Sequence, residues 1–260
     1  MKSLKACFVI VSLVFSFAAR AEYFHSNGVD IFYSDSKGKG EPLVLIHGFS
    51  MDSSMWHDTD IATKLAGKFR VITLDCRGHG KSGKPENTAA YGPQVGLDVI
   101  KLLDHLGIEH AHMAGYSMGA FVLGRLLVTH PHRLQTAVLV SGGFPSDSEE
   151  ELAFQQDVAR DMEAHGEKAL AAVARAWKED AVSDAQIERI QVAVQGVFGS
   201  KEIDEHFDTI KTRLELPEKA RPVIVIPGAD HDSQNAAVLQ PEFIEIVSAF
   251  AGRTSLHVRD

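Results

Sequence analysis

Short apolar runs alternate with helically spaced segments along most of this chain. Residues 29–34 (VDIFYS) alternate with period two, and the KGKG turn at 37–40 follows them, which predicts an antiparallel strand leading into a sheet. Residues 42–46 (PLVLI) form a continuous apolar run, the mark of a strand buried on both faces. Helical spacing over 55–69 precedes the strand 70–74 (RVITL). A further helix is predicted over 91–106, ending at Gly107, where a C-terminal glycine stops it. A strand at 110–115 (HAHMAG), a helix over 117–129 closed by Pro131, and a strand at 134–140 (LQTAVLV) continue the alternation.

The pattern then breaks. From Ser146 to about Gln186 the chain is charged and helical without a strand signal, which predicts an inserted cap. Alternation resumes with a strand at 190–198 (IQVAVQGVF), a helix over 204–214, a strand at 222–226 and a last helix over 241–250. The predicted fold class is α/β: a mainly parallel sheet with helices on both faces and a short helical cap. Ligands in such sheets gather beyond the carboxyl ends of the strands.

The N-terminus changes the picture of where the protein works. MKSLKACFVIVSLVFSFAARA carries Lys2 and Lys5, an apolar run of about 14 residues, and the small-x-small pattern Ala19-Arg20-Ala21. A run of that length is short for a membrane span. Residues 1–21 are therefore expected to be a cleavable signal peptide, with residues 22–260 as one domain, a cap over about 145–188, and a secreted or periplasmic location. Loss of Lys2, Lys5 and Arg20 with no acid would take the formal charge from −9 to −12, a surface unsuited to nucleic acid or anionic membranes. Cys76 would be the one remaining cysteine, so no intramolecular disulfide is expected. No CxxC or His/Cys cluster suggests a metal, and no cofactor is expected. The expected partner is a small molecule, with the oligomeric state left open.

Two motifs carry chemistry. Gly115-Tyr116-Ser117-Met118-Gly119 joins a predicted strand to a predicted helix and fits G-x-S-x-G. The small neighbours let strand and helix backbones approach, pushing the serine oxygen out above the sheet. The Met118 amide then lies at a helix start, where unpaired N–H groups favour developing negative charge. His47-Gly48-Phe49 follows the strand PLVLI, and the amides of Phe49 and Met118 would together form an oxyanion hole. His47 precedes the turn and reads as a structural hydrogen-bonding residue.

These motifs, with D-x-R-G-x-G-x-S from Asp75 to Ser82, make the chain resemble the α/β-hydrolase superfamily over residues 23–250. In that family the nucleophile, acid and histidine follow one another in the chain, and the resemblance implies a mainly structural role for Asp75, Arg77, Gly78 and Gly80. His79 is given no direct role. If the 222–226 strand carried the acid, Asp230 or Asp232 would serve, but His257 would then lie in a polar tail with no strand before it. The segment GADH, followed by the helix beginning at Pro241, instead resembles the family's histidine loop, making His231 the base. Gly199-Ser200-Lys201-Glu202 occupies the family's acid position with glutamate in place of aspartate. Glu202 is the expected acid, and Asp204, Asp147, Asp230 and Asp232 remain as alternatives.

A serine nucleophile at Ser117, a base at His231 and an orienting acid at Glu202 imply hydrolysis of a carboxylic ester or related small acyl compound through an acyl-enzyme. Carbon–carbon hydrolase, lactonase, thioesterase and perhydrolase chemistry fit the same set, and a non-catalytic binding protein could use the same scaffold. Phe49, Met118 and Phe144 are pocket candidates, with core packing an equal reading for Phe144; Trp56 reads as a core anchor, and the apolar stripe 169–177 (ALAAVARAW) as packing at the cap.

Overall fold

The computed structural model describes residues 20–203, 207–231 and 234–254. Among these, eight strands form one sheet in the order β1-β2-β4-β3-β5-β6-β7-β8. They are β1 (Arg20–Ser26), β2 (Val29–Asp35), β3 (Pro42–Ile46), β4 (Arg70–Leu74), β5 (Ala111–Tyr116), β6 (Leu134–Val140), β7 (Ala193–Gly199) and β8 (Ala220–Ile226). The two pairings that involve β2 are antiparallel and the rest are parallel. β3 lies between β4 and β5, so the chain leaves it towards one side and later returns to the other. That reversal opens a crevice at the carboxyl ends of β3 and β5.

Helices cover both faces. α1 (Ser54–Asp58), α2 (Ile61–Leu65) and α9 (Pro241–Thr254) bury Trp56, Leu65, Phe243 and Val247 against one side. On the other, α3 (Pro93–His105) and α4 (Met118–Thr129) bury Val99, Leu103, Leu123 and Leu127. The cap comprises α5 (Glu149–Ala164), α6 (Lys168–Ala176) and α7 (Asp184–Ile187), and α8 (Phe207–Leu214) runs between β7 and β8. Ala171, Ala172, Ala174 and Ala176 of α6 are buried, so the stripe expected to pack does so; only its last residue, Trp177, reaches a cavity. Trp56 is fully buried against Phe243, the rings 6.1 Å apart.

The structure corrects the sequence reading in three places. The helix expected over 55–69 is two short helices, because Asp60 adopts a left-handed conformation (φ 60°) between them. β7 begins at Ala193 rather than at Ile190. β1 was not anticipated; Asn27 and Gly28, both at positive φ, form the two-residue turn that pairs it with β2. Of the two readings of Phe144, the structure bears out core packing.

The Asp75–Ser82 loop is held by buried polar contacts, in keeping with a structural role. Asp75 accepts the N–H groups of Ser53 (2.8 Å) and Lys81 (2.7 Å), and a Cβ at Gly80 would lie 2.2 Å from its carboxylate. Arg77 donates two bonds of 2.6 Å to Asp98, both side chains only 1% exposed, and a third to the Ala90 carbonyl. Removing one partner of such a pair strands the other charge. Arg77→Met is expected to lower the unfolding free energy by about 3–5 kcal/mol in urea titrations, while Arg77→Met with Asp98→Leu recovers much of that loss.

Candidate active site

The nucleophile elbow follows from close main-chain approach. β5 ends at Tyr116, Ser117 turns with φ 51° and ψ −115°, and α4 starts at Met118. A Cβ at Gly115 would lie 2.2 Å from the Gly119 carbonyl oxygen, and one at Gly119 would lie 2.3 Å from that of Ile46. Only glycine fits either position, so β3, β5 and α4 meet where the serine emerges. The Ser117 N–H donates to Val140 O (2.9 Å), tying the elbow to β6. A non-glycine residue at positive φ is strained, and such strain is retained where the surrounding structure enforces it.

The acid and the histidine are brought together by a second close approach. β7 ends at Gly199, where a Cβ would lie 2.4 Å from Ala229 O. The Lys201 N–H donates to that same carbonyl (3.0 Å), and the Gly228 N–H donates to Ser200 Oγ (2.8 Å). The acid turn and the histidine loop are therefore stapled to each other. Ser117 Oγ donates to His231 Nε2 at 3.0 Å, and His231 Nδ1 donates to Glu202 Oε2 at 3.0 Å. Glu202 is 6% exposed at its side chain, and its longer chain folds back so that Oε1 accepts the Gly199 N–H (2.6 Å) and the Ser141 hydroxyl (2.9 Å).

Two supporting residues were missed in the sequence. Ser141, at positive φ just past β6, orients Glu202. Tyr116 donates its hydroxyl to the His231 carbonyl, and its ring lies 5.6 Å from the imidazole. Neither position carries a local signal, because each acts on a residue far along the chain.

The Asp230 backbone closes the histidine loop, donating to Asn235 O and accepting from the Ala237 N–H. Asp147 is exposed ahead of α5. Asp204, Asp232 and His257 lie outside the described residues, as does most of the expected signal peptide. His47 is fully buried; its Nδ1 donates to Gly48 O (2.7 Å) and its Nε2 accepts the Cys76 N–H (2.9 Å). Both nitrogens are used structurally, and burial holds its pKa below the usual range. His79 packs edge to face between His47 and Phe49, and burial with the neighbouring His47 pulls its pKa to about 3.

The relay opens on a cavity of about 440 Å³ beneath the cap. Ser117, Met118, Phe49 and His231 line its floor, and Phe154, Trp177, Glu151 and Asp180 are among its cap residues. Met118 is the first residue of α4, so its N–H has no acceptor within the helix. No acceptor among the described residues takes the Phe49 or Met118 N–H, leaving both amides for a ligand oxygen.

A family model described as alpha/beta hydrolase fold matches residues 41–187, a stretch that includes the elbow and the Phe49 loop but ends before Glu202 and His231. A dihydrolipoyllysine-residue acetyltransferase component of the acetoin cleaving system from Cupriavidus necator is 34% identical over 48% of this chain and 32% of its own length. A pimeloyl-[acyl-carrier protein] methyl ester esterase from Aeromonas hydrophila is 33% identical over 40% of this chain and 39% of its own. The chain thus spans about a third of the first relative and about two fifths of the second. An enol-lactonase from Burkholderia xenovorans superposes with a TM-score of 0.68 at 22% identity, covering 92% of this chain and 100% of that one, a likeness of fold.

Asp180 gives a measurable electrostatic signature. Burial raises its pKa to about 7, only partly opposed by Arg125 and reinforced by Glu179. A carboxyl whose folded pKa lies above its unfolded value takes up a proton on folding, so its contribution to stability is lost as pH rises towards 7. Asp180→Asn cannot ionise and escapes that loss. The variant is expected to gain roughly 2–4 kcal/mol over wild type at pH 8 relative to pH 4, measured by urea unfolding at both values. An equal difference at the two values would contradict the assignment.

Proposed function

The chain belongs to the alpha/beta hydrolase fold family, and on that premise we propose that it is a serine hydrolase cleaving carboxylic esters of small acids. The observation that carries this reading is the relay from Ser117 Oγ through His231 to Glu202, two contacts of 3.0 Å each, opening on the cavity. As Ser117 Oγ attacks the acyl carbon, His231 Nε2 takes its proton. The carbonyl electrons move onto oxygen, facing the amides of Phe49 and Met118. Collapse of this intermediate expels the alcohol, which receives the proton from His231 and leaves an acyl-enzyme. Water, deprotonated by His231, then releases the acid and restores Ser117. Glu202 holds the imidazole with Nδ1 protonated and stabilises its positive form.

Several features favour an ester among the acyl bonds this relay could break. Serine at the elbow argues against the halide- and epoxide-opening branches of the fold, which use aspartate there. The relative named as a methyl ester esterase supports the bond class. A volume of about 440 Å³ suits a compact substrate. Export is also part of the proposal and rests on residues 1–21. Cleavage after Ala21 would keep the β1 pairs from Glu22↔Tyr33 to Ser26↔Val29.

A fluorophosphonate probe is expected to label wild type at Ser117 and to leave Ser117→Ala untouched. With p-nitrophenyl acetate and butyrate, Ser117→Ala and Glu202→Gln are expected to lose roughly 10³-fold or more in kcat while circular dichroism stays native. A folded wild type that takes no probe would sink the enzyme reading, and a labelled protein inert to both esters would sink the ester. N-terminal sequencing of protein from the culture supernatant or periplasm is expected to begin at Glu22; an intact Met1 there would refute export with cleavage.

A further inference from the structure

The cavity walls carry two carboxyls, Asp180 and Glu151, that make no ion pair among the described residues. Asp180 ends the short 3-10 turn Trp177–Asp180 that follows α6, lines the cavity, and is only 9% exposed. Among the described residues no group hydrogen-bonds or ion-pairs with its carboxylate. Arg125 lies within electrostatic range, but its Nη1 donates to Ala181 O (3.1 Å) and its buried Nε has no acceptor. Glu151 of α5 adds a second carboxyl to the same wall, contacted by the Gln155 amide at 3.3 Å.

Around these acids stand Phe49, Phe121, Phe154 and Trp177, with Phe49 and Trp177 edge to face at 4.9 Å, and no lysine or arginine lines the cavity. Aromatic faces attract cations, most strongly when water is excluded. A buried carboxylate without a partner favours a ligand that brings the missing positive charge. An anionic substrate would meet two carboxyls and no cation.

We infer that the cavity selects esters bearing a cationic nitrogen, seated between Asp180 and the aromatic rings of the cap. Its catalytic consequence rests on the esterase reading above, whereas binding of the cation does not.

Two isosteric pairs test it: acetylcholine against 3,3-dimethylbutyl acetate, and betaine ethyl ester against ethyl 3,3-dimethylbutanoate. The first places the charge on the alcohol and the second on the acyl group. The readout is the ratio of kcat/KM, cation over neutral, compared between wild type and Asp180→Asn, so that the different intrinsic reactivities of the two esters, common to both proteins, cancel. In at least one pair the ratio is expected to fall about tenfold on substitution, with a smaller fall in Glu151→Gln. Calorimetric titration of choline and of 3,3-dimethylbutanol into Ser117→Ala reads binding without turnover. Choline is expected to bind at least tenfold more tightly, and Asp180→Asn in that background is expected to erase the difference. Equal binding of the two, or ratios unchanged by Asp180→Asn, would overturn the inference while leaving ester hydrolysis standing. Choline binding lost with Asp180→Asn in a protein that hydrolyses no ester would support the cation site and remove the esterase reading instead.

Discussion

Main chain passing close to main chain is the constraint on which this structure depends. At Gly115 and Gly119 the backbones of β5, α4 and β3 come so near that a single added carbon would collide with a carbonyl oxygen. At Gly199 the end of β7 meets the loop after β8 in the same way. The first approach fixes where Ser117 emerges; the second fixes Glu202 against His231. Neither the serine nor the acid turn has to be positioned by long side chains, which would bring rotamer freedom with them. The two contacts of 3.0 Å that link the three residues are the product of backbone geometry.

Around that frame the buried charges of the Asp75–Ser82 loop and of Asp98 are fully engaged. Arg77, Asp98 and Asp75 are almost inaccessible, and each spreads its charge over several donors or acceptors. His47 likewise has both ring nitrogens occupied. Asp180 stands apart, because it faces the cavity and has no such partner. The contrast separates groups that maintain the fold from the one on which the proposed cation site rests.

The extent to which the sequence discloses this arrangement follows from the range of the interactions. The elbow was legible because its requirements lie within five consecutive residues: two glycines, a serine, a strand before and a helix after. The parallel core strands were legible because burial on both faces writes an uninterrupted apolar run, as in PLVLI. Asp60 escaped notice, since apolar spacing continues across it while its backbone turns left-handed. β1 escaped although Asn27-Gly28 marks its hairpin, because RAEYFHS begins within the N-terminal segment expected to be removed. Glu202 could be suggested only through family resemblance, and Ser141, 61 positions away from it, not at all. Contacts of that separation leave no periodicity to read.

Ser117 also shows how reactivity and robustness can be set against each other at one position. Its φ of 51° is a conformation that any L-residue with a Cβ bears at a cost and that glycine alone adopts freely. Selection for stability acting alone would therefore drift this position towards glycine, and with it towards a sturdier, chemically silent fold. A serine there is a residue that folding does not favour, and its persistence in a lineage would itself record selection for reactivity over thermal endurance.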